Sequence, residues 1–177
     1  MDEEEDFYSP VVKMPTLKTF LSIACCNRWY IEQLDVQTAF LNGPIKSEVY
    51  VKQPDGYSNN QRKVYRLQKA LYGLRESPLC WFQCLDQYLK VLGFTNFKID
   101  SCLYSLKYNG HSIYLLVYVD DLLICGSDID LINTIKSKLS LKFCMKLLGP
   151  VSNYLGIQIE YDRESGVMKL NQRRYIE

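Results

Sequence analysis

The run Ile113-Tyr-Leu-Leu-Val-Tyr-Val119, Asp120-Asp121, Leu122-Leu-Ile-Cys125 sets two adjacent carboxylates between two apolar segments rich in β-formers. Segments of this length and composition predict strands, and the pair between them predicts the turn of a hairpin. Asp-Asp is a poor tight turn, for which Asn-Gly or Asp-Gly is preferred. Two like charges flanked by Val119 and Leu122 repel each other and lose hydration on any burial. A divalent cation reverses the sign of that cost, because hard cations take carboxylate oxygens as ligands. A solvent-exposed acidic turn is the competing account, and the pair alone does not decide.

The flanking chain predicts the following elements. Residues 1–15, acidic and punctuated by Pro10 and Pro15, suggest an extended lead-in. Leu17, Phe20, Leu21 and Ala24 have helical spacing and predict a helix from Thr16 to about Asn27. Trp29–Val36 predicts a strand that delivers Asp35 near its C-terminal end. Asp35 reads equally well as an N-cap for the helical turn Gln37–Asn42, which Gly43-Pro44 stops. Glu48–Lys52 and Val64–Leu67 predict a hairpin with a turn at Pro54-Asp-Gly56. Ser77 at N-cap and Pro78 at N1 open a helix with a stripe of Phe82, Leu85, Leu89 and Leu92, stopped by Gly93. Cys102–Tyr108 and the run from Ser112 flank Asn109-Gly110, a favoured hairpin turn. Asp128 or Ser127 caps a helix carrying Ile129, Ile132, Ile135 and Leu139. Tyr154–Glu160 alternates as a strand, a turn at Ser165-Gly166 leads to Val167–Leu170, and residues 171–177 suggest the first turns of another helix.

The larger elements run β-α-β-β-α-β. That order predicts an α+β fold of the ferredoxin-like split βαβ kind, an antiparallel sheet with helices on one face. Its first and third strands are central neighbours, so Asp35 is expected beside Asp120 and Asp121 although far from them in sequence. Three carboxylates at one sheet edge are costly as pure structure. With no metal-spaced Cys, they point to Mg²⁺ or Mn²⁺. Two such ions about 3.5–4 Å apart suit an in-line displacement at phosphorus. Phosphoryl or nucleotidyl transfer is the reaction class these residues favour. No Gly-x-Gly-x-x-Gly, P-loop or nucleophile with an adjacent base competes.

Composition removes other classes. The chain has 177 residues, enough for one domain with a sizeable core. A net charge of +1 gives no global basic footprint, so a polyanion partner must be held by local patches. Lys63, Arg66, Lys69 and Arg75 form one such group, and Lys136, Lys138, Lys142 and Lys146 another; solvated helix faces are the commoner explanation of either. Seven cysteines in no framework spacing suit reduced core positions. His111 is the single histidine, which disfavours zinc and His-based catalysis. No membrane span or targeting signal is apparent, and Met1–Asp6 is acidic.

Three ordered blocks carry a family resemblance. Tyr118-Val-Asp-Asp121 between apolar strands resembles the polymerase motif of reverse transcriptases. Leu34-Asp-Val-Gln-Thr-Ala-Phe-Leu-Asn-Gly43 resembles the first palm motif of that family. Lys69-Ala-Leu-Tyr-Gly-Leu-Arg75 with Ser77-Pro78 and Trp81 resembles the intervening one. Their wording, with Tyr154-Leu-Gly-Ile157, is similar to the copia-type long-terminal-repeat retrotransposons, over roughly residues 8–177.

The resemblance implies an RNA-directed DNA polymerase palm. Asp35, Asp120 and Asp121 would be its metal-holding carboxylates, with two Mg²⁺ or Mn²⁺ ions. Phe40 would be the bulky ring against the sugar C2′ position, which makes deoxynucleoside triphosphates the expected substrates. Tyr72 and Gly73 would lie near the incoming nucleotide and template base, and residues 154–157 near the primer terminus. Lys142 and Lys146 are candidate phosphate contacts. The expected partners are an RNA or DNA template-primer and a parent Pol polyprotein with integrase and RNase H regions. The expected setting is a virus-like particle in the cytoplasm, with the nucleus as alternative. Residues 1–177 would form one partial domain: the lead-in 1–15, palm with a residual fingers hairpin over 16–160, and the start of a truncated thumb over 161–177. Most of the fingers would be absent. Two other readings remain open at this point. One is a catalytically inactive remnant that binds nucleic acid or protein. The other is an unrelated split-βαβ RNA-binding module, against which the lack of a basic-aromatic strand motif argues.

Overall fold

The structure, a computed structural model, describes residues 8–54, 56–57 and 63–173. Helix α1 (Met14–Cys26) leads into β1 (Tyr30–Val36) and a 3-10 turn at Ala39–Asn42. The hairpin strands β2 (Tyr50–Lys52) and β3 (Val64–Arg66) precede α2 (Ser77–Val91). Then come β4 (Thr95–Asn96), β5 (Leu103–Tyr108), β6 (His111–Tyr118) and β7 (Asp121–Gly126). Helix α3 (Ile129–Lys142) is followed by β8 (Met145–Pro150), β9 (Asn153–Tyr154), β10 (Ile157–Asp162) and β11 (Val167–Asn171).

Six strands form the main sheet in the order β4-β5-β6-β7-β1-β8, every neighbouring pair antiparallel. The strands β11-β10-β9 form a second sheet, and β2-β3 a third. Helices α2 and α3 share one face of the main sheet. From β5, the Tyr104 hydroxyl donates to Asp86 Oδ1 of α2 (3.0 Å), and Lys136 Nζ of α3 donates to Glu32 Oε2 of β1 (2.6 Å). The two helices touch where the Tyr88 hydroxyl donates to the Lys138 carbonyl (2.9 Å). Helix α1 covers the opposite face, where Thr16 and Phe20 line an apolar cavity of about 390 Å³ with Trp29, Leu103, Tyr114 and Cys125. A sheet covered on both faces needs apolar residues in both phases of the strand. Leu122, Leu123, Ile124 and Cys125 are accordingly all buried, which is why that run reads as continuous rather than alternating.

Several expectations hold. Asn109 and Gly110 have φ of 48° and 80° and join Tyr108 to its partner His111. Asp128 caps α3, its Oδ1 accepting the Asp130 and Leu131 amides. Gly93 ends α2 with φ of 94°.

Others are corrected. Helices on one face describes α2 and α3 but not α1. Helix α1 starts at Met14 with Pro15 in its first turn, so the extended lead-in ends earlier. Ser77 is not the cap of α2. Glu76 occupies that position and the Ser77 hydroxyl donates instead to the Leu71 carbonyl. The buried stripe of α2 is Cys80, Trp81, Leu85 and Leu89, whereas Phe82 and Leu92 are partly exposed. The neighbour of β1 is β7, which follows the Asp pair, rather than the strand before it. The strand on the other side of β1 is β8 rather than Tyr154–Glu160. Leu155 and Gly156 break that stretch, with φ of 51° and 76°, into a tight turn between the paired Tyr154 and Ile157. In the turn expected at Pro54-Asp-Gly56, the Tyr57 amide donates to the Pro54 carbonyl at 3.1 Å and Gly56 has φ of 82°, with Asp55 outside the described residues. Most of the expected helix over 171–177 also lies outside them.

Candidate active site

Asp35 is the penultimate residue of β1, and its cross-strand partner is Asp121, the first residue of β7. Directly paired residues of antiparallel strands share a face with Cβ atoms about 4.5–5.5 Å apart. Asp120 sits one residue earlier. The loop between the paired Tyr118 and Asp121 is Val119-Asp120, so the turn is displaced by one residue from the expected Asp120-Asp121. Val119 has φ of 54° and Asp120 is not left-handed. Positive φ at the first loop residue is the pattern in which hairpins prefer glycine. A β-branched residue there stores about 1–3 kcal/mol of strain.

Each carbonyl of this turn is held from outside the hairpin. The Trp81 indole N–H of α2 donates to the Val119 carbonyl at 2.7 Å. The Val36 amide of β1 donates to the Asp120 carbonyl at 2.9 Å. Below the turn, the Tyr154 hydroxyl donates to the Asp121 carbonyl at 3.3 Å. Helix α2 reaches this position because residue 43 is glycine. A Cβ there would lie 2.8 Å from the Cys80 carbonyl carbon and the Trp81 nitrogen.

The three carboxylates act on one another. Burial pushes the Asp121 carboxyl above the usual range, the charges of Asp120 and Asp35 push it further, and a hydrogen bond from the Gln33 side chain opposes them. Gln33 is two residues before Asp35 on the same face of β1 and is nearly buried. Among the described residues no Lys or Arg forms an ion pair with any of the three. Lys146 of β8 lies directly across from Asp35 in the register. Among the described residues no group of three or more His, Cys, Asp or Glu is arranged to hold a metal ion.

Phe40, in the 3-10 turn after β1, is buried. The Tyr72 ring rests against it with centroids 4.2 Å apart, and the Tyr72 hydroxyl donates to Asp120 Oδ2 at 3.4 Å. Partial desolvation of its hydroxyl, then the Asp120 charge, raises the Tyr72 phenol above its ordinary value although the residue as a whole is exposed. Gly73 has φ of 97° and open space around it, so its requirement is conformational. Phe40, Tyr72 and the three aspartates are thus linked in one site, with Gly73 next in the chain. Lys142 lies elsewhere, its Nζ 5.9 Å from the Tyr88 ring.

Sequence reasoning assigned no role to Gln33 and none beyond motif membership to Trp81. The available signal for the first is its place two residues before Asp35, in the same phase of the strand. The indole of Trp81 reads from sequence as one more core aromatic.

Residues 2–177 match the family model described as reverse transcriptase (RNA-dependent DNA polymerase). The chain is 40% identical over 176 residues to the Retrovirus-related Pol polyprotein from transposon TNT 1-94 of Nicotiana tabacum, covering 98% of this chain and 13% of that polyprotein. It is 39% identical over 178 residues to the corresponding polyprotein from transposon RE1 of Arabidopsis thaliana, covering 99% of this chain and 12% of the relative. A third, from transposon RE2 of the same plant, is 40% identical over 177 residues with the same coverage. The chain therefore spans about an eighth of the length of these relatives. No solved structure matches it. By a family match that runs from residue 2 to the last residue, the chain belongs to the reverse transcriptase (RNA-dependent DNA polymerase) family, in the form found in copia-type Pol polyproteins.

Proposed function

We propose that this chain is the palm of an RNA-directed DNA polymerase, which transfers a deoxynucleotidyl group from a deoxynucleoside triphosphate to a primer 3′-hydroxyl on an RNA or DNA template. The observation that carries the reading is the register of Asp35 with Asp121, with Asp120 in the adjoining turn. The order β6-β7-β1-β8, with α2 and α3 on one face, supports a split βαβ palm to which β4 and β5 are added at one edge.

Asp35, Asp120 and Asp121 would hold the divalent ions. The donor set fits: it is all carboxylate oxygen, no cation among the described residues pairs with it, and burial together with mutual repulsion raises Asp121. The described side chains do not yet surround one point, so the ions would have to draw them together. When bound there, two Mg²⁺ or Mn²⁺ ions would stabilise the attacking and leaving oxygens of an in-line displacement. Phe40 would exclude a ribose 2′-hydroxyl by volume. Tyr72, released from Asp120, would pack on the nucleotide, beside the backbone of Gly73. The turn at Leu155-Gly156 would contact the primer, and Lys146, across from Asp35, would meet phosphate oxygens.

The parent polyprotein would add RNase H and integrase regions and act within a virus-like particle, with residues 161–177 beginning its thumb. Among the described residues no helix is long and apolar enough to cross a membrane. A second reading is a palm that binds nucleic acid without catalysis, in which the Tyr72 hydroxyl keeps its bond to Asp120 Oδ2.

Primer extension separates the two. The chain and an Asp120→Asn variant are given primed RNA, Mg²⁺ or Mn²⁺ and deoxynucleotides. Extension by the parent and none by the variant supports the polymerase. Retention of labelled template-primer by both proteins, without extension by either, leaves binding alone.

A further inference from the structure

We propose that Trp81 is a positioning residue for the carboxylate turn: its indole N–H fixes the Val119 carbonyl and so the direction in which Asp120 is presented. The inference rests on the reading of the three aspartates as the metal-holding group.

Trp81 is 1% exposed, and its Nε1 donates to the Val119 carbonyl at 2.7 Å from the second turn of α2. An indole has one donor and no acceptor, so this N–H is left orphaned inside the protein if the turn relaxes. Val119 sits in the left-handed region, where a β-branched residue is strained. Relief of that strain rotates the peptide that carries the Val119 carbonyl, and the indole bond opposes the rotation. The next carbonyl, of Asp120, is held by the Val36 amide, one residue beyond Asp35. The turn is therefore pinned at consecutive carbonyls, once from α2 and once from the strand that carries Asp35.

Trp81 is itself held in place. The missing side chain at Gly43 brings the α2 backbone to the 3-10 turn, and Phe143 presents an edge-to-face contact with ring centroids 5.1 Å apart. The β6-β7 ladder by itself secures Tyr118 and Asp121 but leaves Asp120 free to reorient. A phenyl ring fills most of the same space, so what the indole adds is the N–H.

The test compares the full chain, Trp81→Phe and Asp120→Asn. Free Mn²⁺ is measured by electron paramagnetic resonance, amide hydrogen exchange is followed over 118–122, and activation of primer extension by Mn²⁺ is compared with the KM for deoxynucleotide. In Trp81→Phe, exchange in the turn is expected to accelerate about five- to tenfold and Mn²⁺ binding to weaken by a similar factor, the loss of one buried hydrogen bond. The Mn²⁺ needed for half-activation rises with it while the nucleotide KM stays. A folded Trp81→Phe with parent-like exchange and Mn²⁺ affinity overturns the proposal. If Trp81→Phe does not fold, benzothienylalanine at position 81 keeps the bicyclic shape without the N–H, and the same outcomes apply. If Asp120→Asn binds Mn²⁺ as the parent does, the metal reading fails, while the exchange data still decide whether Trp81 holds the turn.

Discussion

Tyr72 bridges Phe40 and Asp120: its ring lies 4.2 Å from the Phe40 centroid and its hydroxyl donates to the Asp120 carboxylate at 3.4 Å. The bond is long, and Tyr72 is 63% exposed, so it adds little to stability. Its consequence falls on ligands, because an oxygen that accepts from Tyr72 is less available to a cation. Tyr72→Phe is expected to change stability by less than about 0.5 kcal/mol and to tighten Mn²⁺ binding about twofold. Tyr72→Ala also uncovers Phe40 and is expected to raise the nucleotide KM. Urea titration, Mn²⁺ titration and steady-state extension measure the three effects, and weaker Mn²⁺ binding by Tyr72→Phe counts against the arrangement.

Asp121 links the site to pH. Its folded-state pKa is raised above the ordinary 3.8, first by burial and then by Asp120 and Asp35. For a group shifted upward, the favourable contribution is complete below the unfolded value and is lost as pH rises through the folded one. At neutral pH Asp121 is therefore a charge that the fold tolerates at a cost. Asp121→Asn is expected to raise the melting temperature at pH 7, and the gain is expected to shrink as pH falls towards 3.8. Saturating Mg²⁺ or Mn²⁺ is expected to stabilise the parent more than the variant. Melting curves across pH, with and without the ion, check both; a gain that grows on acidification reverses the assignment.

The order of elements and the meeting of Asp35 with the Asp pair were legible because both depend on long apolar runs and on local signals such as Asn109-Gly110 and Asp128. What was not legible depends on contacts between distant segments. Strand β8 has exposed Leu147 and Leu148 and a left-handed Gly149 at 78°, and its register slips between Gln33 and Leu34, so no alternating pattern announces it. Valine favours strands, so Val119 reads as the last residue of one, yet the Trp81 and Val36 bonds hold its turn in a conformation that valine disfavours. Ser77 carried the usual capping signal, but the Leu71 carbonyl claimed its hydroxyl.

Gly43 is a steric requirement rather than a turn requirement, since its φ is −79°. A methyl group there meets backbone atoms of Cys80 and Trp81 at 2.8 Å, and a helix backbone cannot give way as a side chain tip can. Gly43→Ala is expected to cost about 1–3 kcal/mol by overpacking and to move α2, with Trp81, away from the turn. Gly73→Ala, with open space but φ of 97°, is expected to cost about 1–2 kcal/mol through the backbone alone. Urea unfolding gives the two costs. Hydrogen exchange over 118–122 tells them apart, since Gly43→Ala is expected to loosen the turn and Gly73→Ala is not.

Strand β1, which carries Asp35, is tied to α3 by Lys136 and Glu32, whose side chains are 11% and 12% exposed and 2.6 Å apart. Asn133 Oδ1 takes a second bond from the same ammonium at 3.3 Å. Removing one partner of a mostly buried pair strands the other charge, so Lys136→Met is expected to destabilise by about 3 kcal/mol. Replacing both, as Glu32→Leu with Lys136→Met, removes the desolvation cost together with the attraction and is expected to fall within about 1 kcal/mol of the parent. A double-mutant cycle by urea unfolding measures the coupling. Glu32 and Asp35 lie on opposite faces of the strand, so the double variant is expected to keep its Mn²⁺ affinity at the aspartates. A double variant as unstable as Lys136→Met would mean that Glu32 is not what the lysine neutralises.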